Sequence, residues 1–151
     1  MREQFTEALK ESMKAGEKRR VSTIRMITSA LKDRDIEQRG QGKPPLTDEE
    51  ILGLLQKMVK QRQESLAIYE QAGRTDLASQ ESEEIQIIMG FMPAQLDEAA
   101  VKAAIADAIE ASAASSVKDM GKVMAFLKER YAGQMDFAKA SGAVKAMLSG
   151  A

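Results

Sequence analysis

The 151-residue chain has no cysteine, no histidine and no tryptophan. These absences exclude disulfides, thiolate nucleophiles, Ser-His-Asp triads, Cys/His zinc sites and histidine proton shuttles. Aromatic residues make up only 4% of the chain, so base stacking has few side chains to draw on. No apolar run approaches the roughly 20 residues that a membrane helix requires. There is no Walker loop, no dinucleotide-binding glycine pattern and no calcium loop. Catalysis would fall to Asp, Glu, Lys, Tyr, Ser or Thr, and none stands in a recognisable catalytic spacing. The reading is therefore a non-catalytic protein with no metal site and no cofactor. The N-terminus runs from Met1-Arg2-Glu3-Gln4 straight into an amphipathic pattern rather than a signal peptide. A cytoplasmic location is the default expectation.

What is present is 44% apolar and 30% charged, with ten Met residues suited to adaptable packing. The charge is segregated. Residues 1–45 carry 11 basic and 7 acidic groups, residues 46–98 carry 4 and 11, and residues 99–151 carry 7 and 5. The two ends can face a polyanion better than the middle can.

Helical periodicity runs through nearly every segment, and no strand alternation interrupts it. Phe5, Leu9 and Met13 mark a first helix ended by Gly16. Val21, Ile24, Ile27, Thr28 and Leu31 mark a second, and residues 39–45 form a Gly/Pro loop. Thr47 and Glu50 form a capping box for a third helix that stops at Gly73. A fourth covers Asp76 to Met89, closed by Pro93. Asp97 caps a fifth, carrying Val101, Ile105 and Ile109. Two more follow, a helix over 117–131 and a last one after Gly133 and Asp136. The fold class is all-α: a four-helix N-terminal subdomain, residues 1–93, and a three-helix C-terminal domain, residues 94–151.

Three residues break the pattern. Gly121 sits inside a helix, where glycine costs roughly 0.5–1 kcal/mol against alanine. Either a packed neighbouring helix or a ligand approaches that backbone closely, and a helix crossing is the expectation. Arg62 lies on the apolar stripe of the third helix and Asp35 on that of the second. Burying either charge alone costs several kcal/mol, so Arg62 is expected to be partly buried and paired with an acid, Asp35 being the first choice, with snorkelling of either side chain to water as the alternative.

Five stretches in order carry a family resemblance: Thr23-Ile24-Arg25-Met26-Ile27 with Ala30-Leu31-Lys32; Lys57-Met58-Val59-Lys60-Gln61-Arg62; Tyr69 to Arg74; Phe91 to Leu96; and Asp119 to Met124 with Gly133 and Asp136. With these the chain resembles the GatB/YqeY family over essentially its whole length, in the form of a stand-alone YqeY-like protein. The resemblance implies that the C-terminal domain is similar to the tail of the B subunit of glutamine-dependent aspartyl/glutamyl-tRNA amidotransferase, a tRNA-contacting module. It also attaches a carbon–nitrogen ligase activity with glutamine as amido donor, for which this residue inventory has no machinery.

Three functions compete. In the first, Lys118, Lys122, Lys139 and Lys145 contact tRNA phosphates, with no role for DNA or membrane, and the chain is accessory to amidotransferase systems. In the second, an acidic face of Glu64, Glu70, Glu81, Glu83 and Glu84 docks a protein partner such as an amidotransferase or synthetase. In the third, Lys60, Tyr69 and Arg74 serve an amidotransferase activity directly.

Overall fold

A computed structural model describes residues 1–150. Seven α-helices follow in chain order: α1 (Arg2–Ala15), α2 (Lys18–Gly40), α3 (Asp48–Gln71), α4 (Thr75–Met89), α5 (Glu98–Ala111), α6 (Met120–Arg130) and α7 (Phe137–Leu148). The chain is all-α, four helices followed by three. It divides into two compact units, residues 1–93 and residues 94 onward.

Local chemistry sets the helix ends. Gly16 closes α1 at φ +70°, a left-handed conformation that a Cβ would penalise. At α3 the Thr47 hydroxyl accepts from the Glu50 N–H at 3.2 Å, and the Glu50 carboxylate accepts from the Thr47 N–H at 3.1 Å. Asp97 accepts from the Ala100 N–H at 2.7 Å to start α5. Asp136 accepts from the Ala138 and Lys139 N–H groups at 2.9 and 3.3 Å to start α7 at Phe137. The expected single helix over 117–131 is instead a 3-10 turn, Val117–Asp119, followed by α6. The Asp119 carboxylate accepts from the Ser115 and Ser116 N–H groups and so holds the chain in the tighter turn first.

The first unit buries large side chains from all four of its helices, among them Phe5, Ile24, Ile27, Leu31, Ile51, Leu55 and Ile88. Phe5 meets Phe91 edge-on with ring centroids 5.0 Å apart. The second unit is built from smaller residues: Ala104, Ile105, Ala108, Val123, Leu127, Met135, Ala140 and Val144. Alanines at 104, 108 and 140 let helix backbones approach. No described helix is long and apolar enough to cross a membrane.

Two apolar residues on helical stripes, Met13 of the first helix and Val117 at the start of the stretch 117–131, lie outside the core. Both are exposed, and Ala8, Ser12 and Val123 are buried in their helices. Buried Ser12 donates to the Ala8 carbonyl at 2.7 Å, so its hydroxyl is satisfied inside the core.

Candidate functional site

The C-terminal unit carries a groove of about 800 Å³ between α5 and α7. Leu96, Val101, Ile105, Met135 and Ala140 line it, with Glu98, Lys102 and Lys139 also on its wall. Its geometry is fixed where α5 begins. The Leu96 N–H donates to the Gln134 carbonyl at 2.9 Å, and the Gln95 amide donates to the Gly133 carbonyl at 2.6 Å. Gly133 itself takes φ +76°, which turns the chain from α6 towards α7.

The four expected phosphate-binding lysines are all exposed. Lys118 and Lys122 stand four residues apart across the 3-10 turn and the start of α6. Lys139 faces the α5–α7 groove with Lys102, a residue the sequence reading did not single out. Lys145 is six residues further along α7, about 120° round the helix from Lys139. The four are therefore distributed over different helix faces. Asp119, next to Lys118, is held below the ordinary carboxylate range by the Ser115 N–H and, more weakly, by the Ser116 N–H and the Lys122 charge.

Gly121 lies on the exposed surface between these lysines. A Cβ built there meets nothing within 4 Å. The expected tight helix crossing is therefore absent. The α6 contact with its neighbours runs through Val123 and Leu127, both at 0% exposure, on a different face of the helix from Gly121.

Arg62 is partly buried and paired with an acid, as expected, but the acid is Glu84 and not Asp35. Arg62 donates to Glu84 at 3.1 Å, to the Met58 carbonyl at 3.2 Å and to the Met26 sulfur at 3.5 Å. The side chains of Arg62 and Glu84 are 14% and 7% exposed, and Gln80 donates to the other Glu84 oxygen at 3.3 Å. Asp35 receives two bonds from Arg2, at 2.7 and 3.0 Å, and one from the Leu46 N–H at 3.0 Å. The reason is register. Met26 marks the level of α2 that Arg62 reaches, and Asp35 lies nine residues on, roughly 13 Å along the helix. Glu84 shares the buried face of α4 with Ala78, Ile85 and Ile88. The Arg2 side chain and then the Leu46 N–H hold the Asp35 carboxyl below its usual range.

The acidic docking face does not form as a set. Glu84 is buried beneath Arg62, and Glu83 is bonded to Arg19 at 3.1 Å. Burial, and next the Glu84 charge, push the Glu81 carboxyl up from its ordinary value. Of the catalytic candidates, Lys60 is exposed and Arg74 is paired with Asp76 at 3.2 Å on the surface. Among the described residues no group of acidic side chains is arranged to hold a metal ion.

A family model described as Yqey-like protein matches residues 2–148. An uncharacterized protein of Schizosaccharomyces pombe is 34% identical over 86 residues, covering 56% of this chain and 66% of its own. A protein of Pyrenophora tritici-repentis named altered inheritance of mitochondria protein 41, mitochondrial, is 29% identical over 129 residues, 81% of this chain and 68% of its own. Its namesake in Clavispora lusitaniae is 38% identical over 84 residues, 56% of this chain and 46% of its own. The matched stretch thus spans from about half to two thirds of these relatives' lengths. The mitochondrial names correct the cytoplasmic expectation. Lack of cysteine and of membrane-length apolar runs excludes certain structures but specifies no compartment, because an address is read by receptors and not set by the fold.

Proposed function

This chain belongs to the Yqey-like protein family, and from that premise we propose that it is a non-catalytic, RNA-contacting accessory module. The C-terminal unit, residues 94–151, is the tail-like domain in this reading, and tRNA phosphates are its ligand. Any glutamine-dependent carbon–nitrogen ligase activity then belongs to a partner amidotransferase. The observation that carries the reading is the open strip of Lys118, Gly121, Lys122 and Ala125, all exposed, with no side chain above the glycine. Two cations flank a bare stretch of helix backbone, against which a phosphate–sugar chain can lie closely. The unit has few aromatics and as many acidic as basic groups, so binding is weak, backbone-directed and salt-sensitive.

The test is tRNA binding by the full chain as salt is varied. About three or four phosphate contacts give a log–log slope of roughly −2 to −4. The double variant Lys118→Glu/Lys122→Glu should weaken binding and flatten the slope while helix content stays unchanged. Unaltered binding by that variant removes this strip as the site, and no binding at low salt removes the RNA reading altogether.

A further inference from the structure

Four cations on α2 stand at seven-residue intervals: Lys18, Arg25, Lys32 and Arg39. Seven residues return an α-helix to within about 20° of the same direction. The four therefore form one stripe along nearly the whole helix, at steps of about 10.5 Å and over roughly 31 Å in all. All four side chains are exposed.

The other basic residues of α2 differ. Arg19 pairs with Glu83, Arg20 with Glu17 and Arg34 with Glu37. None of the four stripe residues is in an ion pair among the described residues. The acid nearest the line, Asp35, takes two bonds from Arg2 and feels the Arg39 charge at longer range, but forms no ion pair with it. Asp33 points about 100° away from Lys32. Two shallow concavities follow the C-terminal half of the stripe. Lys32 lines one and Lys43 the other, while Arg2, Arg39 and the Arg2-bonded Asp35 line both.

We propose that this α2 stripe is a second nucleic-acid contact, to the phosphate backbone of a base-paired RNA. Its occupant is argued from charge. A straight, regularly spaced row of unpaired cations matches a polymer with regularly spaced anions. Ser29, an exposed small polar residue between Arg25 and Lys32, can donate to a phosphate oxygen, while the Thr28 hydroxyl already donates to the Arg25 carbonyl at 3.1 Å. No aromatic side chain stands on α2 to stack on a base, so the contact positions the RNA without reading its sequence. The identity of the polyanion as RNA rests on the function proposed above. The stripe itself is an independent observation on the first unit.

The experiment uses the full chain, tRNA and a base-paired RNA hairpin of unrelated sequence, with Arg25→Glu/Lys32→Glu set beside Lys118→Glu/Lys122→Glu. Circular dichroism checks that helix content is unchanged. The α2 variant should lose about tenfold or more in affinity for both RNAs, with a salt slope shallower by about 1.5–2. That result supports the stripe whether or not the Lys118/Lys122 variant also weakens. Loss confined to the α2 variant supports the stripe and removes the C-terminal strip from the earlier reading. Loss confined to the Lys118/Lys122 variant overturns this inference and leaves the earlier reading standing. A parent chain that binds neither RNA overturns both. If the α2 variant keeps its RNA affinity but loses binding to polyglutamate, the stripe is an acidic-protein contact and the RNA assignment is overturned.

Discussion

The first unit, residues 1–93, ties its helices together with ions as well as with large apolar side chains. Arg62 joins α3 to α4, Arg19 joins α2 to α4, and Arg2 joins α1 to α2. The second unit, from residue 94, holds by apolar contacts, by Asp caps and by Arg130 lying over Phe126. None of its described charged side chains is in an ion pair. Charges committed to each other inside a unit stabilise it and are lost to a partner. Charges left in water contribute little to folding and remain available for a ligand. The same division separates residues within α2, where Arg19, Arg20 and Arg34 are paired and the seven-residue stripe is not.

The largest effect that can break this comparison is removal of Arg62. Arg62→Met leaves buried Glu84 without its cation, and stability should fall by about 3–5 kcal/mol. Lys122→Met, removing an exposed charge of the second unit, should change stability by no more than about 0.5 kcal/mol. Urea titration of both variants reads the difference. Equal effects would mean that the ion pairs are not what distinguishes the units.

Acid sharpens the comparison with a smaller effect. Asp35 has a folded-state pKa below its unfolded value, so its contribution is present above the unfolded value of about 3.9 and is lost as pH falls through the folded value. Because Arg2 is 42% exposed, screening limits the contribution to about 1 kcal/mol. Asp35→Asn should therefore lower stability at pH 7, and the gap from the parent should close as the pH drops below the folded-state pKa. A gap that is constant with pH would place the role of Asp35 in shape rather than charge.

A small effect, of opposite sign, is expected at Gly121. With nothing within 4 Å of a Cβ and a helical backbone, Gly121→Ala should stabilise by roughly 0.5–1 kcal/mol. Gly121→Leu should melt close to the parent while weakening tRNA binding, since the added side chain stands where the phosphate chain would lie. Destabilisation by Leu through overpacking would restore the helix-crossing explanation that the structure removes.

Helix number and order were legible in the chain because caps, glycines and 3.6-residue periodicity are local. The Thr47–Glu50 box, Asp97 and Gly16 each mark a helix end without reference to anything distant. All-α architecture with four helices followed by three follows from that punctuation. The four-cation stripe on α2 is also written in the sequence as a seven-residue interval. Only the ion pairing of the folded unit separates it from the other basic residues around it. Which acid Arg62 meets could not be read in this way. Both Asp35 and Glu84 stand on apolar stripes, and the choice depends on how far each helix slides along its neighbour, a quantity fixed by the packing of Ile27, Met58 and Ile85 side chains rather than by any one of them. Gly121 presents the same limit. A glycine inside a helix signals that a Cβ is dispensable, but whether a neighbour or open solvent occupies that side is decided by which face of α6 the unit buries. Val123 and Leu127 settled that face, because burying their apolar surface outweighs whatever a close approach at glycine could contribute.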